Sequence, residues 1–120
     1  MLITAAFLAV LIGLSHSVLG ERYILIRLFR RGDLPVLFGS DWFTRRTLRF
    51  AWHLTTAAWW GMAGLLLAVS DGGPDLRGTV LAAIALIFLV SALLAAGFTR
   101  FRHFAWPIFL AISLMAAFSI

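Results

Sequence analysis

Four stretches of this chain are almost free of polar side chains, at 2–19, 50–69, 80–98 and 104–120. Each is about 17–20 residues long, which at ~1.5 Å per helical residue matches a hydrocarbon layer ~30 Å thick. None alternates apolar with polar positions, so the pattern predicts helices rather than the strands of a closed barrel. None has a polar face either, and a soluble helical bundle of this size needs one on every helix. With their interfacial ends the spans are expected at about 2–19, 48–70, 78–98 and 103–120. The predicted fold class is all-α: an integral membrane four-helix bundle in a single transmembrane domain, residues 1–120. The first run has no basic leader and no small-residue cleavage site, so it is expected to be a retained helix.

The segments between the runs carry the polar signals. "ERYILIRLFRR" (21–31) mixes arginines with Tyr23, Ile24, Ile26, Leu28 and Phe29. It reads as an extension of the first helix or as an amphipathic helix on the membrane surface. Gly32, Asp33 and Pro35 are expected to break it. "LPVLFGS" (34–40) reads as an apolar loop folding back on that surface. Ser40 or Asp41 can cap the next helix, expected from near Trp42 to about Ser70. "DGGP" (71–74) reads as a tight turn, and the third helix is expected at about Leu76–Thr99. Pro107 falls in the first turns of the fourth, where a missing N–H costs least.

Composition sharpens the membrane reading: 62% of the 120 residues are hydrophobic and 12% charged. All ten cations are arginine. Nine lie in the first and third connections: Arg22, Arg27, Arg30, Arg31, Arg45, Arg46, Arg49, Arg100 and Arg102. The second connection has Arg77 alone, beside Asp71 and Asp75. The positive-inside rule places the 20–46 loop and the third connection in the cytoplasm and both termini outside. A bacterial cytoplasmic (inner) membrane is the expected location. The net charge of +5 sits beside apolar runs, which fits anionic headgroups and the lipid bilayer rather than nucleic acid. Without cysteine there is no disulfide and no thiolate metal site.

Three histidines carry the candidate chemistry. His16 lies five residues before Glu21, His53 four past Arg49, and His103 follows Arg102. All three are expected in one leaflet, within roughly 8 Å of the arginine belt by helical rise. Ionisable groups at that depth are costly. One reading is a transition-metal site of His16, His53 and His103 with Glu21. Another is a b-type haem between His16 and His53, with Gly13 making room for a flat ring. Imidazole, indole and guanidinium side chains could also line a quinone pocket. The bland alternative is that these histidines bond headgroups, water or a neighbouring helix.

Trp42, Trp52 and Trp106 fall where indoles anchor helices at an interface. Trp59 and Trp60 lie ~15 Å past Arg49, near the midplane, and their N–H groups need partners. Thr55 and Thr56 lie one turn earlier. Adjacent helical residues point ~100° apart, so one indole is expected to face the bundle and the other lipid or a partner. Small residues form stripes: Ala57, Gly61, Gly64 and Ala68; Ala92, Ala95, Ala96 and Gly97; Ala111, Ala116 and Ala117. Such stripes permit close helix approach.

No phosphate-cradling loop, no nucleophile paired with a base and no carboxylate pair is present. Two functions follow as expectations. The first is a non-catalytic accessory or assembly subunit acting through helix–helix contacts with other membrane proteins or in a homo-oligomer. Its contact residues would be Arg22, Arg46, Arg49, Arg102, Trp59 and Trp60. The second is a haem- or metal-binding redox protein built on the histidines.

Overall fold

The computed structural model describes residues 1–71 and 75–120; the "GGP" of the expected 71–74 turn lies outside them. The fold is all-helical, with 80% in helix and no strand among the described residues. Helix α1 runs unbroken over Leu2–Phe29, α2 over Trp42–Ser70, α3 over Leu76–Thr99 and α4 over Ala105–Ala117. Two of the four, α1 and α3, are long and apolar enough to cross a membrane. Helix α2 is diluted by three arginines and by His53, Thr55 and Thr56. Helix α4 is 13 residues long, shorter than the 103–120 expected. Its backbone turns on to Ile120 through the Phe118, Ser119 and Ile120 N–H groups, which donate to Leu114, Ala116 and Ala117.

Glycine 20 does not end α1. The segment Gly20–Leu25 widens into π-helix, and regular helix resumes over Ile26–Phe29. This re-phases the helix. Ala6, Gly13 and Gly20, buried at seven-residue spacing, form one seam, since seven residues complete nearly two turns. In uniform α-helix Leu25 would lie about 140° from that seam. The wider turn carries Leu25 and Phe29 into the interior instead. The helix ends at Phe29, ahead of the expected breakers. The Arg30 and Arg31 N–H groups tighten its last turn by bonding the carbonyls of Arg27 and Leu28. The non-helical stretch is therefore 30–41: 21–31 extends the first helix, one of the two readings given for it, and the next helix begins at Trp42 as expected.

In that stretch Leu37 and Ser40 exchange backbone hydrogen bonds of 2.9 and 3.3 Å. The residues between them, Phe38 and Gly39, both have positive φ, the pattern of a type I′ turn. Val36, Leu37 and Phe38 are exposed. The Thr44 hydroxyl donates to the Pro35 carbonyl at 2.8 Å. Asp41 holds the N-cap position of α2, but its carboxylate pairs with Arg45 rather than with backbone. The Arg45 guanidinium also donates to the Phe29 carbonyl at the end of α1. Asp75 caps α3, accepting the Gly78 N–H at 2.8 Å.

Among the described residues the main helix contacts follow chain order: α1 on α2, α2 on α3, α3 on α4. The Cα extents are 53 × 31 × 14 Å. A width of 31 Å is what four helices side by side require at ~9 Å between axes. The arrangement is a row of four helices, which does not confirm the four-span membrane bundle expected from the sequence. The physical reason is that a uniformly apolar helix surface does not specify a second partner. Close packing is specified by small-residue seams, and α1 has a single one.

The interior is correspondingly made of small side chains. Its buried hydrophobic residues are Ala6, Ala63, Ala85, Ala92, Ala95, Ala96 and Ala116, with Leu25, Phe29 and Phe50 the larger ones among the described residues. Leucines, isoleucines and phenylalanines point outward in number. Of the expected stripes, the one on α3 is buried except for Gly97, and on α4 only Ala116 is buried. On α2, Gly61 packs under the Ile87 side chain, whereas Gly64 has open space beside it. A cleft of about 270 Å³ remains there, lined by Trp60, Gly61 and Gly64 facing Leu86, Ile87 and Val90.

Candidate functional site

The α1–α2 seam holds a chain of polar contacts. Ser17 and Glu21 lie four residues apart on α1; Arg49, His53 and Thr56 lie at four- and three-residue steps on α2. Helical periodicity puts each set on one face. Arg49 forks onto the Glu21 carboxylate, with Nη2 2.7 Å from Oε1 and Nε 3.1 Å from Oε2. His53 Nε2 lies 3.3 Å from Glu21 Oε2, and Nδ1 lies 2.9 Å from Ser17 Oγ. Ser17 Oγ is 2.8 Å from Thr56 Oγ1, which is 3.1 Å from the Gly13 carbonyl. The Arg49, His53 and Glu21 side chains are each less than a third exposed.

The proton inventory of this chain is informative. A carboxylate and a carbonyl only accept, a hydroxyl donates one proton, and a neutral imidazole donates one. Four contacts run from Glu21 through His53, Ser17 and Thr56 to Gly13. A neutral ring with the two hydroxyls supplies three protons. A doubly protonated ring supplies four, one per contact.

The three histidines do not form one site. His16 lies beside Ser17 on α1 but serves another surface. Its ring stacks on Trp52, centroids 4.5 Å apart and planes 2° from parallel, and meets Trp59 at 5.0 Å. Its Nε2 is buried without a hydrogen-bond partner. A shallow cleft of about 410 Å³ runs past His16, Tyr23, Trp52 and Trp59. His103 packs between Phe43 and Phe50 at 5.7 and 5.1 Å. Its Nδ1 accepts the Ala105 N–H at 3.1 Å and so starts α4. Among the described residues, no group of three or more His, Asp or Glu side chains could hold a metal ion. Of the expected set of His16, His53, His103 and Glu21, the described residues show a contact between His53 and Glu21. Adjacent helical positions diverge by ~100°, which sends His16 and Ser17 to different sides of the same helix.

The tryptophans reverse another expectation. The space over Gly13 is taken by Trp60: a Cβ there would lie 2.7 Å from Trp60 Nε1. That indole donates to the Val10 carbonyl at 3.2 Å, while its ring stays 46% exposed. Trp52, read as an interface anchor, covers Gly20 and donates to the His16 carbonyl at 3.0 Å. Trp59 is the more enclosed of the deep pair.

The arginines divide by partner. Arg22 and Arg27 lie over Tyr23 at 5.7 and 5.6 Å. Arg49 lies 4.9 Å over Phe29 as well as on Glu21. Arg46, Arg100 and Arg102 converge on Trp42 at 5.7, 5.7 and 5.4 Å. Sequence reasoning missed Ser17 and Thr56 as members of the polar chain. The signal that finds them is their spacing from Glu21 and from Arg49 and His53. No protein-family model, curated protein or solved structure matches the chain.

Proposed function

We propose that the chain is a four-span integral protein of a bacterial cytoplasmic membrane, with both termini outside, that acts as a non-catalytic accessory or assembly subunit through helix–helix contacts. The observation that carries this reading is the inverted packing of the row. Small side chains fill its interior, and large apolar ones cover both faces and both ends. Such a surface suits lipid tails and other membrane helices. The polar groups of the α1–α2 seam satisfy one another, which supports a structural role for them. The half-exposed Trp60, beside the unfilled cleft at Gly61 and Gly64, is the anchor proposed for a neighbouring helix. Nine of ten arginines in the first and third connections support the orientation.

The test is site-specific photocrosslinking in native membranes, with the crosslinker at position 60 and, as control, at position 11 on α1. A discrete adduct from position 60, to a second copy or another membrane protein, and none from position 11 are expected; in a separate pull-down of the chain without crosslinker, Trp60→Leu is expected to lose that same partner. A chain that stays monomeric and partnerless in lipid nanodiscs overturns the reading. A reporter fused at the C-terminus is expected to be active only outside the cytoplasm.

A further inference from the structure

The arginines around Trp42 form a cation cluster with no ion-pair partner of their own among the described residues. Three guanidinium carbons lie within 5.7 Å of one indole centroid, so three positive charges share a sphere of that radius. No two of them can be further apart than twice that radius, so their repulsion is only partly screened at the ~8 Å screening length of physiological salt. Among the described residues none of the three is ion-paired. The acids of that end are used elsewhere: Asp33 by Arg31, Asp41 by Arg45, Glu21 by Arg49 and His53. Cation–π attraction returns only part of the repulsion at exposed sites.

The backbone assembles this cluster at a cost. Arg100 and Phe101 adopt consecutive left-handed conformations, φ +51° and +62°, which non-glycine residues rarely take. The turn is fastened by the Phe101 N–H to Ala96 (2.9 Å), the Arg102 N–H to Thr99 (3.1 Å) and the Trp106 indole to Phe101 (3.3 Å). It delivers Arg100 and Arg102, from the C-terminal end of α3, to Trp42 at the first turn of α2. Arg46 then continues from the cluster into an apolar groove of about 290 Å³, lined by Leu93, Leu94, Gly97 and Phe98. From Arg100 to Leu93 that groove descends ~10 Å along α3.

The geometry points to a binding site for an anionic phospholipid, its phosphate among Arg46, Arg100 and Arg102 at the edge of Trp42 and one acyl chain along the Leu93–Gly97 groove. Guanidinium forks match phosphate oxygens, and the groove supplies what a free phosphate would not use. A headgroup bearing two phosphates fits three cations better than one bearing a single phosphate. The inference rests on the membrane reading above.

The experiment is native mass spectrometry of the full chain released from mild detergent. It is titrated separately with cardiolipin, phosphatidylglycerol, phosphatidylcholine and inorganic pyrophosphate. Binding is expected in the order cardiolipin, phosphatidylglycerol, phosphatidylcholine. Surface cations contribute about fivefold each in affinity for anionic lipid, so R46Q/R100Q/R102Q is expected to weaken cardiolipin roughly a hundredfold, and R100Q alone about fivefold. R22Q/R27Q, which removes two charges at Tyr23, is expected to leave it nearly unchanged. Gly97 has open space where a Cβ would stand. Gly97→Leu is therefore expected to fold normally, to weaken cardiolipin and to leave pyrophosphate untouched. Equal losses in the Tyr23 control would reduce the site to diffuse charge and overturn the inference. So would pyrophosphate binding as tight as cardiolipin with no effect of Gly97→Leu, which would mean an anion site without a lipid. Carbonate washing of cell membranes separates the two levels: wild type and variants stay in the pellet if the membrane reading holds, whatever their lipid affinity. Release of the wild type would sink that reading instead.

Discussion

Arg49 on α2 grips Glu21 on α1 through both nitrogens of its fork, at 2.7 and 3.1 Å. The same carboxylate receives His53 at 3.3 Å. Among the described residues this is the one place where opposite charges from two helices meet, and it ties the wide turn of α1 to the N-terminal half of α2. Removing either partner strands the other in a mostly covered site.

Glu21→Gln and Arg49→Gln are each expected to lower stability in detergent by about 1–3 kcal/mol, less than a fully buried pair would cost because both groups stay partly exposed. The double variant is expected to lose less than the two singles together, by about 1 kcal/mol or more. Thermal unfolding of the four proteins measures the cycle. Strict additivity would mean that the pair contributes nothing specific.

Gly20→Ala sets a methyl group into the Trp52 ring, which the His16 carbonyl holds in place. The helices must part or the indole must let go, at about 1–3 kcal/mol. Gly64→Ala meets nothing within 4 Å and is expected to be neutral or to stabilise by up to ~1 kcal/mol through helix propensity. Unfolding midpoints of the two variants in one detergent are the comparison. Equal midpoints would place Trp52 elsewhere than on Gly20.

Arg31 and Asp33 pair at 2.7 Å in full solvent exposure. The hydrogen bond to Asp33 raises the Arg31 pKa, and the hydrogen bond from Arg31 lowers that of Asp33. A carboxyl lowered in the folded state contributes above its unfolded value, about 3.9, and loses that contribution as the pH falls through its folded value. Because water screens the pair, Asp33→Asn is expected to leave the midpoint unchanged at neutral pH and at low pH alike. A midpoint gap present at pH 7 and closing below pH ~4 would show that the pair contributes after all.

The elements were legible wherever punctuation is local. Trp42–Ser70 and Leu76–Thr99 begin beside capping acids and end at turn residues, and the structure has them at those bounds. The polar seam was half legible. Glu21 and His53 drew attention as ionisable groups among apolar ones. Ser17 and Thr56 did not, because lone hydroxyls in a helix are ordinary until a facing helix supplies partners. Gly13 was legible as a place where something flat comes close, but its partner, the chain's own Trp60, was not.

The amino-acid order by itself determined that the chain is helical, where its long helices run and that charge gathers at one end, since those depend on local periodicity and short connections. Only tertiary structure decided that the helices line up in an open row, that a π-turn swings Leu25 and Phe29 inward, and that His16, His53 and His103 serve three different surroundings. The reason is geometric. Uniformly apolar faces carry no instruction about which neighbour they meet, and neighbouring positions on one helix point ~100° apart. Depth along the chain can therefore be read from sequence, whereas convergence of side chains depends on which seam closes.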